Sequence, residues 1–271
     1  MTAEPPIRTL CVVGLGYVGL PTAAVFASRS LEVLGVDVNA DTVATINAGG
    51  IHIVEPDLDI LVNGAVATGK LRAAAAPEPA DAFIIAVPTP FTTERRPDLS
   101  YLDAAADAIA PVLKKGDLVV IESTSPVGTT ERFSARLAGL RPELAFPHAQ
   151  PDNPDVALAH SPERVLPGRV LIEITRNDRV IGGLTPACAA RAAALYRLAV
   201  EGRLLLTDAR TAELVKLAEN AYRDVSIAFA NELANVATTL GIDPWAAIDL
   251  ANHHPRVNIL NPGPGVGGHC I

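Results

Sequence analysis

Ile7-Arg-Thr-Leu-Cys-Val-Val-Gly14-Leu-Gly16-Tyr17-Val18-Gly19 runs from a strand-length apolar stretch into three glycines spaced G-x-G-x-x-G, and the Ala-rich run Pro21–Arg29 follows. An apolar run, a glycine turn and a helix former in that order predict strand, tight turn and helix. The three glycines then have separate uses: a tight turn, close backbone approach to a pyrophosphate, and close packing of helix on strand. The opening of the helix offers free amide donors and a positive dipole end to an anion. A second apolar run, Leu31–Val36, ends in Asp37, about 20 residues further on as a dinucleotide site requires. Asp37 would accept hydrogen bonds from an adenosine ribose and repel a 2′-phosphate, which favours NAD over NADP. Gly14, Gly16, Tyr17, Val18, Gly19 and Asp37 are therefore the cofactor candidates. A plain glycine turn beside a surface aspartate is the alternative.

Outward from this unit the alternation continues. Apolar runs recur at Ala82–Val87 and Leu118–Ile121, with Asp41–Asn47 and Tyr101–Leu113 as helical stretches between them. Arg179–Gly183 and Arg203–Leu206 add further strands around a helix at Pro186–Leu198. Strands alternating with helices predict an α/β fold, a Rossmann-like doubly wound parallel sheet. Loops after two strands carry Thr89, Thr124 and Thr130. Ligands bind outside the carboxyl ends of such strands, so each Thr is a candidate for cofactor or substrate contact, against an ordinary role as loop or cap residue.

After Thr207 the character changes. From Asp208 to Leu240 there is neither Pro nor Gly, with Asp208 placed as N-cap and Gly241 as the stop. So long a helix is suited to bridging domains or packing on a partner chain. The division expected is 1–207 for the dinucleotide-binding domain and 208–271 for a helical region with a shorter helix near Pro244–Asn252. Spacings of three and four put Glu213, Lys216, Asn220 and Arg223 or Asp224 on one stripe. A solvated ion-pair ladder explains most of that stripe, but an Asn within it fits a site better. The segment then runs from His253 through Gly263, Gly265, Gly267 and Gly268 to Cys270. A cysteine reached through glycines can approach a ligand closely, and a nearby cation such as Lys216 would favour its thiolate. From spacing alone a catalytic and a structural Cys270 stay equally open. Cys11 and Cys188 fall on a strand and a helix, where buried inert cysteines sit. The chain ends one residue past Cys270, inside a glycine loop, and we read this as a truncation.

Composition narrows the class. In 271 residues, 49% are hydrophobic and 19% charged, a globular balance with no disordered block. A formal net charge of −8 speaks against a nucleic-acid partner. The first apolar run is broken by glycines, so neither an export signal nor a membrane span is expected. Three scattered cysteines, Cys11, Cys188 and Cys270, read as reduced cytoplasmic thiols. No Cys/His spacing points to a metal.

Several of these motifs together resemble the UDP-sugar 6-dehydrogenases, a branch of the UDP-glucose/GDP-mannose dehydrogenase family. The resemblance rests on Gly14–Gly19, Glu122–Thr124, Ser161-Pro-Glu163-Arg164, the Lys216/Asn220 helix and the loop ending in Cys270. It runs from Ile7 to the last residue. Ser161-Pro-Glu-Arg-Val-Leu-Pro-Gly168 and His254-Pro-Arg256-Val-Asn-Ile are similar to the UDP-N-acetylhexosamine branch. Ile51-His-Ile-Val-Glu-Pro-Asp57 and Arg256 bring it nearest to the bacterial UDP-N-acetylmannosamine dehydrogenases. UDP-N-acetylglucosamine and UDP-glucose enzymes are the alternatives within the family.

The resemblance implies a four-electron, NAD-dependent oxidation of a sugar C6 alcohol to a carboxylate through a thiohemiacetal and a thioester on Cys270. It implies Lys216 and Asn220 for proton transfer or oxyanion stabilisation, a kind of contact worth ~2.7–4 kcal/mol of barrier. Glu163 and a water held by Thr124 are implied in hydrolysis. Arg164, Val165, Lys216, Asn220, Arg223, His254, Arg256 and Gly267 match substrate-contact positions, with Arg256 reaching a neighbouring subunit. The helix over 208–240 matches the family's dimer-forming helix. The family's Asp four residues past the cysteine and its C-terminal UDP-binding domain are absent from this sequence, which leads us to expect NAD binding with poor turnover. Two rivals remain: a single-step 3-hydroxyacid or 6-phosphogluconate-type dehydrogenase, and a non-catalytic NAD-binding dimerisation fragment.

Overall fold

A computed structural model describes residues 6–265, so Gly267 and Cys270 lie outside the described residues. The first half holds β1 (Thr9–Val13), α1 (Gly19–Ser28), β2 (Glu32–Val36), α2 (Ala40–Asn47), α3 (Leu58–Ala67), β3 (Leu71–Ala74), β4 (Ala82–Ile85) and α4 (Ser100–Ile109). Then come β5 (Leu118–Ile121), α5 (Thr129–Leu140), β6 (Ala157–His160), α6 (Val170–Arg176), β7 (Arg179–Gly183), α7 (Pro186–Tyr196) and β8 (Leu204–Asp208). The strands form one sheet in the order β3-β2-β1-β4-β5-β6-β7-β8. Strands β3 and β6 escaped the sequence reading: four residues each, mixed in polarity, they carry no periodic signal of their own.

The sheet departs from the all-parallel expectation at one joint. β1 to β6 are parallel neighbours, but β7 pairs antiparallel with β6, with His160 opposite Gly182. β8 then runs parallel to β7. The link from β6 to β7 does not cross the sheet: the Arg164 guanidinium donates to the Asp178 carbonyl, so the link returns to where it left. The chain re-enters the sheet from the carboxyl end of β6, and β7 must run backwards.

Alternation along β1 sends Leu10 and Val12 to one face and Cys11 and Val13 to the other. Both faces are covered, as a central parallel strand requires. One layer is built on α1, α3, α6 and α7, with Phe26, Val62 and Ile174 in its core. The other is built on α4 and α5, with Phe83, Ile109 and Phe133. Each fully buried Phe or Leu contributes on the order of 1.5–3 kcal/mol. Cys11 is buried in this second layer and Cys188 is buried on α7, and burial pushes the Cys11 thiol up to about 12.

The chain divides into two compact units after Leu214, within the long helix α8 (Ala209–Thr239). Asp208 caps that helix by accepting from Thr211 N at 2.9 Å. In the second unit, Gly241 at φ +70° stops α8 and α9 (Pro244–Asn252) follows, capped by Asp243. The tail is tied back by Asn252, whose amide exchanges hydrogen bonds of 3.0 and 2.7 Å with the Ile259 backbone. Among the described residues no helix is long and apolar enough to cross a membrane.

Candidate active site

Gly14, at φ +92°, turns the chain out of β1 where a Cβ would lie 2.7 Å from the Ala86 carbonyl oxygen. At Gly19 a Cβ would meet the Gly14 oxygen at 1.8 Å, so α1 packs on the turn only because Gly19 lacks a side chain. Gly16 differs: nothing lies within 4 Å of its missing Cβ, and the open side is free for a ligand. Asp37 at the end of β2 accepts from Leu15 N at 3.0 Å and Asn39 N at 2.9 Å, which fixes the carboxylate beside the glycine turn. Val18 is half-buried at the start of α1. This arrangement fits a dinucleotide, with phosphates at Gly16 and a ribose at Asp37.

The loops after β4 and β5 are joined across the same end of the sheet. Thr89 Oγ1 donates to the Thr124 carbonyl at 2.6 Å, and Ser123 Oγ donates to the Val87 carbonyl at 2.7 Å. Thr130 is wholly buried. Its amide and hydroxyl donate to Glu213 at 2.7 and 2.6 Å, and Gly128 N donates to the other carboxylate oxygen at 2.6 Å. Glu213 thus caps the opening of α5, and the solvated-ladder reading does not hold for it.

A cluster of buried ions follows from the reversed strand. Because β7 runs backwards, its first residue, Arg179, lies beyond the carboxyl end of β6, beside Ser161 and Glu163. Arg179 Nε donates to Ser161 Oγ at 2.8 Å, and Nη1 is paired with Glu163 Oε2 at 3.1 Å. Behind it, Glu122 at the end of β5 accepts from the Arg179 guanidinium and from the Tyr196 hydroxyl at 2.7 Å. The guanidinium carbon sits 4.3 Å over the Tyr196 ring. Burial, added to by the charge of Glu163, pushes the Glu122 carboxyl up to about 7 despite Arg179. Burial opposes charge on Arg179, yet the two carboxylates hold its pKa above the usual guanidinium value. His160, next to Ser161, is fully buried with both ring nitrogens lacking a hydrogen-bond partner, and burial, with Arg179 adding, pushes it down to about 3.

Glu122, Arg179, Tyr196 and His160 were not singled out from the sequence. Glu122 stands inside a quoted motif without a role of its own. Arg179 had one available signal, a lone Arg opening the apolar run Val180-Ile-Gly-Gly. Arg164 and Val165 sit half-buried beside Glu163, whose Oε1 accepts from Arg164 N at 2.6 Å.

Within the second unit, Lys216 and Asn220 lie half-buried one turn apart on α8, while Arg223 and Asp224 are exposed. His254 and Arg256 are exposed in the turn after α9, and Arg256 N donates to His254 Nδ1 at 3.3 Å.

Comparison with known proteins assigns the two parts of the chain. Residues 8–200 match the NAD binding domain of the UDP-glucose/GDP-mannose dehydrogenase family, and residues 210–271 match its central domain. A relative from Ralstonia nicotianae, an NDP-N-acetyl-D-galactosaminuronic acid dehydrogenase, is 64% identical over 97% of this chain and 62% of its own length. The UDP-N-acetyl-D-mannosamine dehydrogenase of Yersinia pestis is 60% identical over 97% of this chain and 63% of its own. The solved UDP-D-ManNAc dehydrogenase of Pyrococcus horikoshii superposes with a TM-score of 0.90 at 45% identity, covering 97% of this chain and 62% of that one. The chain therefore spans less than two thirds of the length of these relatives. With the NAD binding domain matched over residues 8–200 and the central domain over 210–271, the chain belongs to the UDP-glucose/GDP-mannose dehydrogenase family.

Proposed function

We propose that this chain carries the NAD and catalytic-cysteine portion of an enzyme that oxidises the C6 alcohol of UDP-N-acetylmannosamine to the uronate. The observation that carries the reading is the glycine turn with its open Gly16 and fixed Asp37, joined to a family match that extends to the last residue. Gly14, Gly16, Tyr17, Val18, Gly19 and Asp37 would hold NAD, with Thr89 close by. Thr130, turned to Glu213, would contribute by fixing the loop. When bound, NAD supplies the hydride acceptor for both oxidations. Lys216 and Asn220 would stabilise the C6 oxygen as its proton leaves. Cys270 would add through sulfur to the aldehyde carbon, giving a thiohemiacetal and, after the second oxidation, a thioester. Glu163 would take a proton from a water held by Thr124 as that water attacks the thioester, releasing the thiolate. Arg164, Val165, Arg223, His254, Arg256 and Gly267 would contact the sugar nucleotide.

A homodimer is proposed through α8, where Tyr222, Val225, Phe229 and Val236 repeat at three, four and seven residues and are each more than half exposed. We expect the work to be cytoplasmic, because scattered cysteines without paired spacing suit a reducing compartment. A second sugar is favoured by one observation: the 64%-identical relative is named for a galactosaminuronic acid.

The test is the yield of NADH per sugar nucleotide consumed, with UDP-N-acetylmannosamine and UDP-N-acetylgalactosamine run side by side. Two NADH per sugar, lost in Cys270→Ala, supports the thioester route, and the faster sugar fixes the epimer. One NADH, insensitive to that change, would favour a single-step hydroxyacid-type dehydrogenase.

A further inference from the structure

The segment Ile51–Asp57 carries part of the likeness to relatives yet has no part in the chemistry above. Its one buried charge is Glu55, only 4% exposed. Both carboxylate oxygens are in use. Oε2 accepts from the Tyr17 hydroxyl at 2.7 Å and from Gly168 N at 2.9 Å, and Oε1 accepts from Val170 N at 2.7 Å. Burial works to raise its pKa, but those three donors outweigh it and hold the carboxyl below the usual range. The backbone beneath is rooted: Leu58 N donates back to the Glu55 carbonyl at 3.3 Å, and the Leu58 side chain is fully buried.

The donors come from two segments far apart in sequence. Tyr17 stands in the glycine turn, directly after Gly16, where a pyrophosphate would lie. Gly168 closes the run Ser161–Gly168, which contains Glu163, Arg164 and Val165, and Val170 opens α6 two residues later. One carboxylate on a fixed base therefore joins the cofactor turn to the sugar-contacting run. A carboxylate that only had to hold the second segment would need no hydroxyl from the first.

We propose that Glu55 is a positioning residue that transmits occupancy of the cofactor turn, through Tyr17, to the Ser161–Gly168 run. NAD bound at Gly16 orders the turn, and the Tyr17–Glu55 bond then holds the Gly168 and Val170 amides in place before the sugar nucleotide arrives. By reciprocity, a ligand ordering the second segment tightens NAD. The inference rests on the proposed NAD site and not on the identity of the sugar.

Amide hydrogen exchange at Leu15–Gly19, Gly168 and Val170 tests it on the 271-residue chain, with and without NAD, in the parent, Tyr17→Phe and Glu55→Gln. With NAD at a saturating concentration for each protein, exchange at Leu15–Gly19 is expected to slow in the parent and also in Tyr17→Phe, which keeps the backbone amide and the ring and loses only the hydroxyl bonded to Glu55. At Gly168 and Val170 NAD should slow exchange about threefold or more in the parent and leave Tyr17→Phe unchanged. Glu55→Gln, which turns an amide NH2 towards one set of donors, should raise exchange at Gly168 or Val170 even without NAD. If NAD protects the glycine turn but not Gly168 and Val170, or protects them equally in Tyr17→Phe, the inference is overturned. No protection of the glycine turn itself would overturn the NAD site, and this inference with it.

Discussion

The carboxyl ends of β1 and β2 and the carboxyl ends of β5 and β6 lie on one sheet but are built on opposite principles. At the first, the geometry rests on side chains that are missing: Gly14 and Gly19 let backbone meet backbone, and Gly16 leaves room for a ligand. At the second it rests on buried charge: Glu122, Arg179 and Glu163 are brought from three separate stretches and satisfied against one another. A backbone site tolerates no added atom. A buried ionic site tolerates no lost partner, since the remaining charges are left unpaired in a poor solvent.

The largest effect expected from that contrast is on stability at the second site. Arg179→Met leaves two carboxylates without their shared cation and should cost about 3–5 kcal/mol in urea unfolding. A loss under about 1 kcal/mol would mean that the cluster relaxes or hydrates easily. At the first site, Gly19→Ala drives a Cβ into the Gly14 oxygen and should cost about 1–3 kcal/mol while abolishing NAD binding. Gly16→Ala, which meets no protein atom, should leave stability within about 0.5 kcal/mol and still weaken NAD. If Gly16→Ala bound NAD as the parent does, the phosphates would lie elsewhere. Smaller again is Asn39→Ala, which removes the cap of α2 on Asp41 N and Thr42 N and should cost about 1 kcal/mol.

The second site also sets a pH signature. Glu122, raised by burial, contributes stability that is complete below its usual value of 4.5 and lost as pH rises through about 7. His160, lowered by burial, contributes stability present above 6.5 and lost as pH falls towards about 3. Between pH 4.5 and 6.5 the two slopes oppose. Glu122→Gln should therefore give a Tm that climbs more steeply with pH over that interval than the parent's. An unchanged slope would place the raised proton affinity on another group.

The same contrast explains what could be read from the sequence. The glycine turn and Asp37 are local: spacing, apolar runs and one acid specify them, and the turn lies between β1 and α1 with Asp37 directly after β2. Helix α8 and its stop at Gly241 were legible for the same reason, since a run free of Pro and Gly is local information. The charge cluster was not legible because it depends on the direction of β7. Nothing in Arg179-Val-Ile-Gly-Gly says which way the strand runs. That direction follows from the link between β6 and β7 folding back on itself, with Arg164 on Asp178. Glu55 escaped similarly, for its three donors lie 38, 113 and 115 residues away. The roles of Lys216, Asn220 and Cys270 came from resemblance, not from spacing, and Cys270 lies outside the described residues.

Titration of NAD and NADP into the 271-residue chain, followed by calorimetry, tests most directly the claim that the first unit is an NAD site built on Gly16 and Asp37. The account predicts NAD binding, NADP weaker by about tenfold or more, and a narrowed gap in Asp37→Ala as the repulsion of the 2′-phosphate is removed. Equal affinity for the two, or no binding of either, would contradict it.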